Sequence, residues 1–331
     1  MNTEADHQKP LVTVVIPLYN KEAYIARSAE SVLVQTESRF ELIVVDDGSS
    51  DKGPDWVRSC SDPRVRLISI ENSGVSVARN VGAGEAKADW IAFLDADDAY
   101  EPEFLETMLA LARRCPEAAL VASAYGEITT DEQMTSQDWK FLPTDSQGDY
   151  IKDFFAASMH TSPVCSSAVM IRKSVFDEVG GFPPHLRLGE DLDLWFRIAS
   201  RYKIAWSPRS LSRYYRDAST ATQNVLYVGE FGPMEAYRRY LASGVRSPLH
   251  FSIERYIAQS QMLHYFLGNY YCGRRDLARQ ALAAAKKAGV AKRAWLKGTF
   301  LMLIPSKLAL AMSKRNLKFA SVSRPVRDSS P

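Results

Sequence analysis

From Leu11 to about Ser123, short apolar runs alternate with segments of helical period, and the early runs end in polar or acidic residues. Val12 to Ile16, Leu42 to Val45, Val65 to Ile70, Trp90 to Leu94 and Ala118 to Ala122 read as strands. Between them, Ala23 to Gln35 places Ile25, Ala29, Val32 and Leu33 on one helical face. Val75 to Ala86 reads as a helix of small residues and Phe104 to Arg114 as a further helix. This order implies an α/β domain with a mostly parallel sheet and helices on both faces. In such sheets ligands bind beyond the carboxyl ends of the strands.

Glu127 to Gln147 reads as polar loop, Val164 to Arg172 as another strand and Gly180 to Pro184 as a turn. Glu190 to Arg201 is a helix with Leu194, Phe196 and Ile198 as apolar members. Beyond Val225 the strands are expected to stop. Met234 to Ala242, Ser252 to Tyr271, Asp276 to Ala288 and Lys292 to Met312 read as helical.

Charge divides at about the same place. Residues 1–222 carry 23 Lys and Arg against 34 Asp and Glu, a net of −11, whereas residues 223–331 carry 18 against 5, a net of +13. The expected organisation is a disordered tail over 1–10, an α/β domain over 11–222 and a basic α-helical region over 223–331. A basic region wants an anionic partner. No nucleic-acid motif accompanies the charge, so the region reads as a contact for an anionic membrane surface or as a helical cap with a solvated basic face. The most apolar tail segment, Trp295 to Met312, is interrupted by Lys297, Pro305 and Lys307, so it suits an interfacial position rather than a span. Cys60, Cys115, Cys165 and Cys272 form no CxxC pair, which fits a reducing, cytoplasmic compartment and argues against a zinc site.

The strand ends carry the chemistry. Pro17-Leu18-Tyr19-Asn20 closes the first strand, where Tyr19 is a stacking platform for a base or part of a capping turn begun by Asn20. Asp46-Asp47-Gly48-Ser49 closes the second, as a carboxylate acceptor for base N–H groups or an ordinary Asx-type turn. Asn72-Ser73-Gly74 opens a helix that continues Ala78-Arg79-Asn80-Val81-Gly82. Gly74 admits close backbone approach, and Arg79 serves a phosphate or pairs with an acid. The densest cluster is Asp95-Ala96-Asp97-Asp98, with Glu101 just beyond. Like charges so close repel unless something positive sits among them, and Mg²⁺ or Mn²⁺ binds through one or two carboxylates plus substrate phosphates. Glu190-Asp191-Leu192-Asp193 then starts a helix, where acids are favoured by the helix dipole and one of them can act as a general base. Arg216 with Ser219 or Thr220 could hold a diphosphate or form a surface loop.

Taken in order, Pro-x-Tyr-Asn, Asp-Asp-Gly-Ser, Asn-x-Gly…Ala-Arg-Asn-x-Gly, Asp-Ala-Asp-Asp and Glu-Asp-x-Asp-Leu-Trp resemble the family-2 inverting glycosyltransferases of the GT-A fold, over about Leu11 to Thr220. The resemblance implies a Rossmann-like mixed sheet with flanking helices that binds a nucleotide-sugar donor, commonly UDP-linked. It implies that Tyr19 and Asp46 hold the base, with Asp47 assisting and Pro17, Asn20 and Gly74 shaping that end of the site. It further implies that Asp95 and Ala96 lie along the donor, that Asp97 holds Mg²⁺ or Mn²⁺, and that Asp98 supports it. Asp191 matches the catalytic base, Glu190 and Trp195 the acceptor side, and Arg79, Arg216 and Ser219 the diphosphate. The implied acceptor is a sugar or a lipid-linked saccharide in surface-polysaccharide or glycolipid synthesis. Two other classes compete: a nucleotidyltransferase, which needs a Gly-rich phosphate loop that Pro17 to Lys21 does not supply, and a non-catalytic nucleotide-sugar-binding or membrane-associated protein.

Overall fold

The computed structural model describes residues 9–128, 134–135, 137–215, 225–228, 232–260, 266–287, 292–306 and 318–321. The chain divides into two compact units. One comprises Met1–Lys152, Pro163–Phe182 and Tyr202–Ala218, and the other Asp153–Ser162, Pro183–Arg201 and Ser219–Pro331.

In the first unit, β1 (Val12–Leu18), β2 (Phe40–Asp46), β3 (Val65–Ser69) and β4 (Trp90–Phe93) lie side by side in the order β3-β2-β1-β4, all parallel. α1 (Ile25–Leu33), α2 (Gly53–Ser59) and α3 (Val75–Gly84) make the crossovers. β5 (Ala99–Tyr100) and α4 (Phe104–Arg114) lead into β6 (Ala118–Ile128), then β7 (Met134–Thr135) and β8 (Asp149–Tyr150). The β-branched run of β1 is buried on both faces, as a central strand of such a sheet requires. Ile25, Ala29 and Val32 of α1 face the core, as their spacing predicts. α3 sits close on the sheet because Gly82 has no side chain: a Cβ there would stand 2.4 Å from Val15 Cγ1.

The sheet is mixed rather than mostly parallel. Within the numbering that runs on through α5 (Phe154–Ser158), β9 (Val169–Arg172) inserts antiparallel between β4 and β6. α6 (Lys173–Val179) follows it. The apolar run from Val164 is not all strand: Ser166–Ala168 forms a 3₁₀ turn before β9 begins. Periodicity alone does not separate a buried strand from a buried turn. Beyond α7 (Glu190–Ala199), β10 (Lys203–Tyr215) is long, parallel to β6 and antiparallel to β5 and β8, with register shifts on either side of Ser210.

In the second unit β11 (Val225–Val228), α8 (Met234–Ala242), α9 (His250–Ser260), α10 (Leu267–Tyr271), α11 (Arg275–Lys287), α12 (Lys292–Leu301) and β12 (Lys318–Ser321) join α5 and α7. The expectation that strands stop beyond Val225 is corrected: β11 and β12 pair in parallel, Val225 with Lys318 through Val228 with Ser321. Their separation along the chain hides the pairing from local pattern. Helices α9 and α10 stand where one helix was expected, and residues 261–265 between them lie outside the described set. An aromatic core joins α5, α7, α8 and α9, with Phe155 5.4 Å from Phe196 and 5.6 Å from Tyr256 between ring centroids. A separate core of Phe266, Tyr270, Ala278, Ala281 and Leu282 holds α10, α11 and α12 together. No helix among the described residues is long and apolar enough to cross a membrane.

Candidate active site

The four parallel strands β3-β2-β1-β4 bring their carboxyl ends to one edge of the sheet, and the polar clusters sit there because each directly follows one of these strands. Pro17 and Leu18 finish β1 inside the sheet, and Tyr19, 49% exposed, is the first residue to leave it. Asn20 takes a left-handed φ of 51°, a conformation Asn tolerates better than most residues. Its side-chain oxygen accepts the Ser50 N–H at 2.8 Å, and its own N–H donates to the Ser49 hydroxyl at 3.1 Å. The turns after β1 and β2 are thereby stitched together.

The two acids at the end of β2 do different work. Asp46 accepts the Ser49 N–H on Oδ1 at 2.9 Å. Asp47 uses both oxygens on backbone: Oδ1 accepts from Ser73 at 2.6 Å and Oδ2 from Gly74 at 2.7 Å. Asp47 therefore fixes the loop that starts α3, with Gly74 as N-cap. Gly48, which follows Asp47, has φ of 74°, and a Cβ there would come within 2.9 Å of the Asn72 nitrogen.

The Asp95–Asp98 run is compensated by side chains from distant parts of the chain. Arg79, only 4% exposed, donates to Asp95 Oδ1 at 2.6 Å while its guanidinium lies 5.1 Å over the Phe182 ring. Asn80 holds that ring in place, donating to the Phe182 carbonyl at 2.7 Å and accepting its N–H at 2.8 Å. Of the two readings of Arg79, pairing with an acid is the one observed. Lys21 donates to Asp97 Oδ2 at 2.5 Å, and Arg27 donates to the Asp97 carbonyl while stacking 3.5 Å from the Tyr215 ring centre. Ala96 is buried.

Asp98 is 1% exposed. It accepts the Ser167 hydroxyl at 2.5 Å and the Tyr215 N–H at 3.0 Å. Burial, reinforced by the charge of Asp95, pushes its carboxyl well above the usual carboxylate range against these hydrogen bonds. Ser167 also accepts the Asp95 N–H at 3.1 Å, so one hydroxyl joins both ends of the run. Glu101 stands apart in an ion pair with Arg213 at 2.6 Å. Lys21, Arg27, Ser167 and Tyr215 were not singled out by sequence patterning. Each reaches the cluster from far along the chain, and only the acid repulsion itself signalled that cations would be needed.

A hard divalent ion fits this donor set. Among the described residues no group of three or more His, Cys, Asp or Glu could form a complete protein cage. Magnesium-type sites instead use one or two carboxylates and fill the rest with phosphate and water. Asp97 keeps 14% of its side chain accessible and Asp95 30%. Lys21 supplies positive charge at Asp97, where a cation is wanted.

In the second unit, Gly189 in a left-handed conformation starts α7, and Glu190, Asp191 and Asp193 occupy its first turn. Asp191 Oδ1 accepts the Leu192 N–H at 2.7 Å, and the side chains of Glu190 and Asp191 are partly exposed. Asp193 is buried and accepts from Arg197 Nε at 2.6 Å. Burial raises its carboxyl above the usual range despite that pairing. Trp195, placed on the acceptor side by the resemblance, is 1% exposed on the buried face of α7. The helix is buried nearly all round, which its Leu194-Trp195-Phe196 run could have signalled. Arg216 and Ser219 lie outside the described residues.

A family model, Glycosyl transferase family 2, matches residues 13–180. The chain is 32% identical over 212 residues to an uncharacterized glycosyltransferase of Rickettsia felis, covering 64% of this chain and 34% of that protein. It is 44% identical over 110 residues to the succinoglycan biosynthesis protein ExoO of Rhizobium meliloti, covering 33% of this chain and 32% of that one. The chain spans about a third of the length of the Rickettsia relatives it matches. Among solved structures, Staphylococcus aureus TarS 1–349 in complex with UDP-GlcNAc aligns with a TM-score of 0.65 at 15% identity, covering 91% of this chain and 92% of that one. At that identity the likeness is one of GT-A-like fold.

Proposed function

The chain belongs to glycosyl transferase family 2, and on that premise we propose that it is an inverting glycosyltransferase that moves a sugar from a UDP-linked donor to an acceptor hydroxyl. The observation that carries the reading is the edge where β1, β2 and β4 end, with Tyr19 outside the sheet, Asp46 at the end of β2, and Asp97 accessible among compensated acids. We assign the transferase domain to residues 11–222 and the basic helical region to 223–331.

Tyr19 stacks on the uracil and Asp46 accepts its N–H. Asp47 and Asn20 hold the loops that present them. Asp95, steadied by Arg79, faces the ribose. Asp97 would hold Mg²⁺ or Mn²⁺ against the diphosphate, and when bound the ion stabilises the charge that builds on the leaving group. Arg216 and Ser219 add donors to the diphosphate. Asp191 takes the proton from the acceptor hydroxyl as that oxygen attacks the sugar C1, with Glu190 orienting the acceptor. Attack opposite the departing diphosphate, with no second carboxylate nucleophile, inverts the anomeric centre. The acceptor belongs to surface-polysaccharide or glycolipid synthesis, a reading supported by likeness to a succinoglycan biosynthesis protein. An anionic membrane surface is the partner of 223–331, at the cytoplasmic face.

The test is release of nucleoside diphosphate from a panel of donors with Mn²⁺, in wild type, Asp191→Asn and Asp97→Ala. UDP release that both variants lose supports the reading. Release that both retain at the wild-type rate overturns it.

A further inference from the structure

α12 and the turn that follows it are apolar on two sides. Trp295, Leu301 and Met302 turn inward against the core of α10 and α11. Leu296, Phe300 and Leu303 turn outward, 48%, 67% and 77% exposed. Leu296 and Phe300 are one helical turn apart on α12, and Leu303 lies in the turn that follows, its N–H donating to the Phe300 carbonyl at 3.0 Å, so these are a row and not scattered residues. A water-facing helix would carry polar groups there. The inward face is pinned: Tyr270 points its hydroxyl at the carbonyls of Leu301 and Ile304, at 2.7 and 2.8 Å, and Arg275 donates to the Met302 carbonyl. The row is therefore held outward by the packing behind it.

The surroundings say what covers the row. Residues 266–306 contain eight Lys and Arg and a single acid, Asp276. Lys297 is exposed within the row's own span, and Lys286 is exposed on α11 with its ammonium 5.1 Å over the ring of Trp295, the residue next to Leu296. A protruding apolar row set in a one-signed basic field matches an anionic lipid surface on both counts: acyl chains for the row, headgroups for the charges. Basic charge alone would suit any polyanion, but three exposed apolar side chains would be wasted on one.

We propose that the row Leu296–Phe300–Leu303, on α12 and the turn that follows it, is the element that seats this chain on an anionic bilayer surface. The proposal rests on the membrane reading of residues 223–331 and names the contact within it. In flotation assays the full chain binds phosphatidylcholine vesicles containing about one quarter phosphatidylglycerol and binds pure phosphatidylcholine weakly. Phe300→Ser with Leu303→Ser weakens binding about tenfold, because apolar insertion is lost while the charges remain. Lys286→Gln with Lys297→Gln weakens it too, and preferentially at low salt. Wild type that stays off the anionic vesicles overturns both this proposal and the membrane reading. Wild type that binds, with the serine variant binding equally, overturns the row while the basic region stands. A dimer by light scattering that the serine variant dissolves, without vesicle binding, gives the row to a second copy of the chain and overturns the proposal. UDP release, read in parallel, shows the variants to be folded and keeps this outcome separate from the transferase reading.

Discussion

In the sheet unit each acid from Asp95 to Asp98 is tied to a partner from elsewhere in the chain: Arg79 to Asp95, Lys21 to Asp97, and Ser167 with the Tyr215 backbone to Asp98. In the helical unit Glu190 and Asp191 stand in the first turn of α7, where free backbone N–H groups and the helix dipole favour negative charge, and Asp191 accepts from the adjacent Leu192. The first set is met by side chains from distant parts of the chain, whereas Asp191 accepts from the backbone of its own helix turn. Substitutions in the first set should therefore disturb folding together with binding. Substitutions at the helix start should remove chemistry and leave the fold alone.

Asp191→Asn is the sharpest test and carries the largest effect. It keeps the shape and removes the base, so turnover should fall by about 10²–10⁴-fold while donor affinity changes by less than about twofold. Urea unfolding should match wild type. A variant that lost donor binding or stability to a similar degree would erase the contrast between the units.

Arg79→Met probes the other side. It leaves Asp95 without its buried counter-charge, for a loss of about 3 kcal/mol in urea unfolding. Equal stability to wild type would mean that Asp95 relaxes into water and that the acid run needs no internal cation.

The strands and helices around β1 were legible because β-branched runs and small-residue helices leave a local signature: Val12 to Ile16, Leu42 to Val45 and Gly82 lie where their patterns placed them. β10 was not, because it contains Pro208, shifts register around Ser210 and depends on partners in β5, β6 and β8. The acids themselves were visible as clusters. Their partners were not, since nothing local to Lys21, Ser167 or Tyr215 points to residues 95–98. Asp47 shows the same limit: a carboxylate beside a candidate ligand-binding one reads identically until the Ser73 and Gly74 N–H groups are seen on its two oxygens.

A smaller effect follows from Lys21. Its ammonium neutralises the carboxylate expected to take the metal, so ion and lysine compete for Asp97. Lys21→Met should tighten Mn²⁺ binding by about two- to fivefold, the worth of a partly exposed ion pair. Electron paramagnetic resonance titration of free Mn²⁺ reads this without turnover. Weaker binding in the variant would mean that Lys21 orders the site for the ion and does not stand in for it.

The smallest expected effect lies within α7 and separates its local charges from its buried one. Asp193 shares the first turn with Asp191 but is buried, and burial raises its carboxyl despite Arg197. A raised carboxyl binds its proton more tightly in the folded chain than in the unfolded one. Its contribution is then fully present below the ordinary carboxylate range and lost as pH rises through the elevated folded value. Asp193→Asn removes that titration, so the fall in melting temperature on going from about pH 4 to pH 7 should be shallower than in wild type. The variant is also less stable throughout, because Arg197 loses its partner, so the slope and not the offset is the diagnostic. An unchanged slope would place Asp193 with Asp191, as an acid whose charge the helix start already satisfies.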